Sequence, residues 1–400
     1  MSDLTGESGF IRGRVVQIRK MGKSIFAHLQ DNFGKCQIYA QRDVLEDQYP
    51  IFKRIDIGDI IEVEGEVFAT QSGEKTVRVR AFTVLSKALR PLPDKHDGIK
   101  DVEVRYRQRY LDLISNSESR DVFVKRSHII SRIRALLDNK SFLEVETPML
   151  HPIAGGASAR PFETHYNALD EDVFLRIAPE LYLKQLLVGG LERVYELNRN
   201  FRNEGLSTRH NPEFTALEVY QAYADYEVMI DLICGIVTES CEAIGREVPL
   251  FKTVSYSDLI QERLGVEYDE CQFEEIHRRY ENEIEPTLVE PTFVTRFPHQ
   301  AMPPLSKRCQ DDSRFVDVFE FVMNGQELGC GYTEENNPDV QRASFESQGG
   351  ETDEAFLVAL EHGMPPAGGL GLGIDRLVMA LTGADSIRDV ILFPQLKQKK

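Results

Sequence analysis

No stretch of this 400-residue chain approaches the roughly 20 consecutive apolar residues that a membrane span needs. Its first nine residues are polar and acidic, not basic and then apolar, which argues against a secretion signal. The expectation is a cytoplasmic protein without membrane contact. Cysteine is scarce: Cys36, Cys234, Cys241, Cys271, Cys309 and Cys330 are scattered and form no C-x-x-C pair. That spacing suggests neither a zinc site nor a disulfide framework, and the thiols read as reduced. Internal repeats and low-complexity segments are absent. Basic charge is in deficit, with 47 Lys+Arg against 65 Asp+Glu and a net charge of −18. The deficit is local, because residues 1–90 carry 14 Lys+Arg against 12 Asp+Glu and the acid excess lies beyond them. An enzyme that touches a polyanion along one face can keep an acidic body elsewhere.

The length suits a small domain followed by a larger one. Strands are predicted at 11–18, 25–29, 36–40, 60–68 and 77–85, with β-branched residues often on alternate positions and turn signals between. Five strands in this space suit a closed barrel of the OB type, placed at residues 1–90. Pro91 and Pro93 lack amide donors, so residues 91–118 read as a linker. In the remainder, 119–400, Ile129, Ile130, Ile133, Leu136 and Leu137 follow the helical period and predict a helix over 119–138. Further strands are predicted at 142–147, 173–177, 193–197, 213–220, 315–323 and 329–333. Helices are predicted at 180–188, 226–244, 339–348, 353–362 and 374–382. Strands and helices without strict alternation argue an α+β domain built on an antiparallel sheet.

Three segments carry chemistry. Phe142-Leu-Glu-Val-Glu-Thr-Pro148 follows the long helix; Phe201-Arg-Asn-Glu-Gly205 precedes Arg209-His-Asn-Pro-Glu-Phe214; and Gly368-Gly-Leu-Gly-Leu-Gly-Ile-Asp-Arg376 lies near the C-terminus. The glycine run is no dinucleotide fingerprint, since Arg376 stands where the third glycine would fall and no βαβ unit follows. Together and in this order the segments resemble motifs 1, 2 and 3 of the class II aminoacyl-tRNA synthetases. Four further stretches make the chain similar to the lysine-specific branch: Lys87 to Lys95, Arg105 to Leu113, Gly155 to Phe162 and Arg176 to Lys184.

The resemblance implies activation of lysine by ATP and its transfer to a lysine-accepting tRNA. Activation joins a carboxylate to an α-phosphate, and arginine suits two repelling anions because it stays charged and forks onto either. Arg202 is implied at the α-phosphate and the lysine carboxylate. Arg376 would stack on the adenine and reach the γ-phosphate, with Phe214 on the other face of the base. Arg209 and His210 would meet the outer phosphates, and Glu204 the adenine. Glu320 and Glu327 would share Mg2+ with ATP; without the resemblance they read as a solvated acidic face. Glu180 and Glu334 are implied at the substrate's ε-ammonium with Tyr220 assisting, and Gly156 and Glu218 at its α-amino group. In the barrel Phe26, Gln37 and Glu74 match anticodon-reading positions, although Phe26 also suits a core. Motif 1 implies a homodimer.

The chain departs from the family pattern in places. The barrel begins almost at the first residue, where the family usually places a helical segment before it, and the chain is shorter between Gly265 and Pro291 and around Ser347 to Thr352 and deviates from Phe297 to Leu305. Cys330 stands where the family usually has Asn, which bears on the amino-acid pocket. Two other functions compete: a paralogue that transfers lysine to a protein, and a non-catalytic tRNA-binding homologue. The barrel argues against the first, and Arg202, Glu320, Glu327 and Arg376 against the second.

Overall fold

The computed structural model describes residues 8–93, 99–302, 305–348 and 352–397. Asp94 and Lys95 of the expected linker motif, Pro303 and Pro304 of the divergent segment, and 349–351 of the second shortened stretch lie outside the described residues. The chain divides into two compact units, Met1–Arg105 with Tyr110–Ser115, and Tyr106–Arg109 with Asn116–Lys400.

In the first unit β1 (Ser8–Met21), β2 (Ser24–Gln30), β3 (Lys35–Gln41), β4 (Ile60–Ala69) and β5 (Lys75–Ser86) close a barrel in the order β1-β2-β3-β5-β4. Alternation sorts the side chains, so that Ile25, Ala27 and Leu29 of β2 point into the core with Ile38, Ala40, Val63 and Val79. Phe26 falls between them on the outer face, half-buried, which removes the core reading. Gly65 sits where a Cβ would collide with the Arg78 carbonyl, at the bulge that lets β4 bend. Two short helices, Val102–Arg107 and Arg109–Ser115, occupy part of the stretch that reads as a linker in the sequence.

The second unit carries β6 (Leu143–Glu144), β7 (Leu150–His151), β8 (Phe162–Tyr166), β9 (Glu171–Leu175), β10 (Arg193–Phe201), β11 (Glu213–Ala222), β12 (Lys252–Ser255), β13 (Thr292–Thr295), β14 (Val318–Met323), β15 (Gln326–Thr333) and β16 (Ala367–Gly373). Eight of them form one sheet in the order β12-β13-β14-β15-β16-β11-β10-β6. Its centre is antiparallel as expected; only the edge strands β6 and β12 pair in parallel. One face packs on the helices Ser117–Asn139, Tyr226–Ala243 and Ile374–Thr382 through Ile133, Ile233, Leu217 and Leu377. The other face meets Glu180–Val188 and Tyr256–Leu264 through Leu183, Val194 and Tyr256. Asn116 and Asp225 cap their helices by accepting amides of the first turn.

The helices expected at 180–188 and 374–382 have those bounds. The strand expected at 142–147 shrinks to two residues, because Thr147 turns its hydroxyl to Glu196 and Pro148 has no amide to continue a ladder. The strand expected from Phe315 begins only at Val318, since Phe315 and Val316 make isolated bridges to Pro298 and Arg308. Among the described residues no helix is long and apolar enough to cross a membrane.

Candidate active site

A cavity of about 450 Å³ opens where β10, β11, β15 and β16 run side by side. The two-residue period of a strand decides what faces it. On β11 Phe214, Ala216, Glu218 and Tyr220 line the cavity, while Leu217 and Val219 enter the core behind. On β15 Cys330 and Tyr332 line it, and on β16 Gly371 and Gly373 do. The glycines serve close approach between strands: a Cβ on Gly331 would lie 2.7 Å from the Gly369 carbonyl, and one on Gly369 would collide with Glu334 Oε1 and the Tyr220 ring.

At one end of the cavity the cations gather. Arg202 follows β10, lies with its guanidinium carbon 5.2 Å from the centroid of the Phe214 ring, and has a buried Nε without a hydrogen-bond partner among the described residues. Arg376, two residues into its helix, donates to the Glu327 carbonyl at 2.8 Å and approaches His210 Nε2 at 3.2 Å. Since a guanidinium only donates, His210 Nε2 accepts and Nδ1 carries the proton toward Ser207 Oγ, 2.8 Å away. Burial and the neighbouring Arg376 hold His210 below the usual imidazole range, which keeps the ring neutral. Arg209 and Glu204 line the same end and are exposed.

At the other end the carboxylates gather. Glu180, first residue of its helix, and Glu218 line the cavity, both buried. Burial, with Glu180 as the next cause, pushes the Glu218 carboxyl up to about 8. Gly156, at φ +83° in the loop before β8, completes this wall. Glu334 does not line the cavity. It lies beside the lining, fully buried, where a Cβ on Gly369 would meet its Oε1 next to the Tyr220 ring, with Lys184 Nζ at 2.5 Å from Oε2.

Glu320 also stands off the cavity wall, whereas Glu327 is on it. Burial, then the Glu327 and Glu285 carboxylates, drive Glu320 well above the carboxylate range, although the Tyr280 hydroxyl donates to it at 3.3 Å. A divalent cation would relieve that repulsion with hard oxygen ligands. No group of three or more His, Cys, Asp or Glu side chains able to hold a metal occurs among the described residues. Two carboxylates fit an ion that completes its shell on phosphates and water.

Several supporting residues fall within the singled-out segments but receive no role in the sequence reading. Asp375 is buried, accepts from the Thr215 amide at 2.7 Å and forms an ion pair with Arg126 at 2.6 Å, tying the motif 1 helix to the motif 3 helix. Arg176, fully buried, bonds Glu196 at 2.6 Å and the Arg199 carbonyl, fastening β9 to β10. Only charged residues at long sequence separation reveal these pairs, and spacing cannot match them.

On the barrel the expected trio lies together. Phe26 packs tilted against Tyr39 at 4.5 Å between centroids, Gln37 donates to Glu74 at 2.9 Å, and Thr76 donates to Gln37 at 2.7 Å. Tyr39, Phe68 and Arg78 extend the aromatic face, with Arg78 4.8 Å above Phe68.

The model of the class II tRNA synthetases for D, K and N matches residues 101–397, and that of the OB-fold nucleic acid binding domain matches 10–85. The chain is 48% identical to a lysine–tRNA ligase of Fusobacterium nucleatum, over 97% of its own length and 88% of the relative's. It is 48% identical to one of Moorella thermoacetica, over 100% and 90%, and 49% identical to one of Carboxydothermus hydrogenoformans, over 97% and 89%. The Moorella alignment runs over 443 positions against 400 residues here, so the relative carries residues without a counterpart in this chain.

Proposed function

Because the chain belongs to the lysine–tRNA ligases of class II, we propose that it condenses lysine with ATP to lysyl-adenylate in the cavity between β10, β11, β15 and β16 and passes the lysyl group to tRNA. The observation that carries this reading is the polarity of the cavity: Arg202, its buried Nε without a partner among the described residues, at one end and buried carboxylates at the other. Lysine is an anion at its carboxyl and a cation at both amines, so it enters in one direction only. Its carboxylate meets Arg202, which also takes the α-phosphate, and the attacking oxygen is brought to phosphorus with both charges neutralised. Arg376 holds the nucleotide from the β16 side, and Phe214, Glu204, Arg209 and His210 receive the base and outer phosphates. Glu180, Glu218, Gly156, Tyr220, Cys330 and Glu334 form the amino-acid end. Glu320 and Glu327 would hold Mg2+, whose positive charge offsets that of the phosphates.

Lysine-dependent pyrophosphate exchange with tRNA-independent onset tests adenylate formation, and charging of a lysine-accepting tRNA tests the transfer. Exchange driven by another amino acid but not by lysine would discard the proposal.

Phe26, Gln37 and Glu74 are assigned to the anticodon, read by stacking and by hydrogen bonds to base edges. Phe26→Ala is expected to lower kcat/KM for tRNA charging by roughly 10- to 100-fold, the range of about 1–3 kcal/mol lost with one stacked base. Pyrophosphate exchange stays unchanged in the same variant. Equal losses in both assays would remove the barrel from recognition.

The protein is further assigned as a homodimer through motif 1. Val124, Leu143, Met149 and Leu150 leave apolar surface exposed along that segment. Light scattering at micromolar concentration is expected to give twice the 45.6 kDa chain mass, and a monomer would exclude this interface.

A further inference from the structure

Lys184 is a cation with no exposed side-chain surface, set one turn after Glu180 on the same helix. Its ammonium lies 2.7 Å from Glu180 Oε1 and 2.5 Å from Glu334 Oε2, so one fixed charge bridges two carboxylates brought from distant parts of the chain. The Tyr332 hydroxyl donates to the same Glu180 oxygen at 2.6 Å, and the Tyr220 and Tyr332 rings stand 6.0 and 5.5 Å from the ammonium. Both Glu334 oxygens are buried without a hydrogen-bond partner among the described residues, so the contact of Oε2 with Lys184 is an ion pair and Oε1 has no partner.

The charges around the amino-acid end can be counted. Three buried carboxylates, Glu180, Glu218 and Glu334, meet one buried ammonium. The neighbouring Arg176 is matched by Glu196 at 2.6 Å, and Arg202 has the Phe214 face and no carboxylate partner. Two carboxyls are therefore left at this end without a cation, ready to ionise when one binds, and one positive charge is left at Arg202. Lysine brings two ammonium groups and one carboxylate, the complement of that set. An unmatched charge in a buried site costs far more than a matched one, so the count selects the ligand as strongly as shape does.

We infer that Lys184 is the specificity-determining counter-ion of the amino-acid pocket: by cancelling one of its three buried carboxylates it sets the pocket's demand at two positive charges, those of a dibasic amino acid. Lys184 acts through Glu180 and Glu334 and is a positioning residue. The inference rests on the reading of the cavity as the lysine site. Groups facing the bridge are Glu180 on its own helix, Glu218 and Tyr220 on β11, Cys330 and Tyr332 on β15, and Glu334 after β15; Arg176, Glu196 and Arg202 lie further along β9 and β10. Burial drives Glu334 upward while Lys184 pulls it back, and burial works against the Lys184 charge while Glu180 and Glu334 restore and raise it. Without Lys184 the carboxylates rise further and hold protons that a substrate ammonium must displace.

The test compares wild type with Lys184→Met, close in length and neutral, and Lys184→Arg, which keeps the charge, in pyrophosphate exchange from pH 6.5 to 8.5. In Lys184→Met the KM for lysine is expected to rise at least tenfold at neutral pH with the KM for ATP within twofold. The ascending limb of log kcat/KM for lysine moves up by one pH unit or more, and Lys184→Arg keeps the wild-type limb. A raised lysine KM with an unmoved limb would mean that Lys184 only fills space, and an unchanged KM would likewise overturn the inference. Should Lys184→Met not fold, judged by its melting temperature, calorimetry of lysine binding to wild type in buffers of different ionisation enthalpy decides. Release of one to two protons near pH 7 supports two unmatched carboxylates; release of none or of three overturns the count. Absence of lysine-dependent exchange in wild type would instead refute the proposed function.

Discussion

Arg202→Ala and Arg376→Ala are each expected to lower lysine-dependent pyrophosphate exchange by about 10² to 10³, equivalent to roughly 2.7–4 kcal/mol of transition-state stabilisation, with the fold retained. Arg202 makes no ion pair to any described residue that would explain its position structurally. Its Nε is buried without a partner and its guanidinium rests on Phe214. A buried donor that the described residues leave unmatched has its partner in the ligand. Alanine there removes the cation where the lysine carboxylate and the α-phosphate approach each other, so the loss falls on kcat as well as KM. Arg376 differs: the Glu327 carbonyl and His210 hold it at the mouth of the cavity. Its loss frees His210 Nε2 and removes one face of the nucleotide site, which raises the KM for ATP more than that for lysine. The measurement is exchange kinetics with both substrates varied, beside a melting temperature within a few degrees of wild type. Near-normal exchange by either folded variant would remove the assigned site.

Cys330→Asn is expected to lower the KM for lysine by roughly tenfold to a hundredfold, from about 1.5–3 kcal/mol for a hydrogen bond to a charged group, and to leave the KM for ATP nearly unchanged. Cys330 lies on the cavity wall on β15, with Glu320 beside it on β14 and Gly371 on β16. Burial and the Glu327 and Glu320 carboxylates push its thiol well above the ordinary range. It therefore stays protonated, a weak donor and a poor acceptor, and no nucleophile. The amide that the family usually carries there offers two donors and an acceptor. With only glycine opposite on β16, the extra atoms have room toward the cavity. A lysine KM that rises in Cys330→Asn would mean that the pocket is rebuilt around the thiol and that its substrate differs from plain lysine.

Much of the fold is legible because periodicity records local burial. The helices at 180–188 and 374–382 and the five barrel strands show it, each exposing one apolar face at its own repeat. The strand expected at 142–147 fails for a tertiary reason: its residues are extended, but Thr147 is taken by Glu196 before a ladder forms. Strands β7 and β8 and the helix Tyr256–Leu264 pass unread, because short elements with mixed exposure look like loops. Arg202, Glu218 and Arg376 are reached through motif wording and prove to face one cavity. Glu320 and Glu334 are implied by the family resemblance and prove to lie outside the residues that line the cavity; Glu320 sits opposite Cys330 and faces the same side, so position across the sheet and not the side of a strand sets it apart.

Lys184 marks the limit. In the sequence it only closes the stretch Arg176 to Lys184, with no role of its own, and only Glu334, 150 residues later, together with Tyr332, makes it a buried counter-ion. By itself the sequence determined the barrel, the sheet domain, the three motifs and hence the class of reaction, because local pattern and motif chemistry are written in neighbouring residues. The tertiary structure alone decided which carboxylates face the substrate and which are already matched. That depends on charges from β11, β15 and the Glu180–Val188 helix meeting in one low-dielectric volume, where each one's state is set by the others.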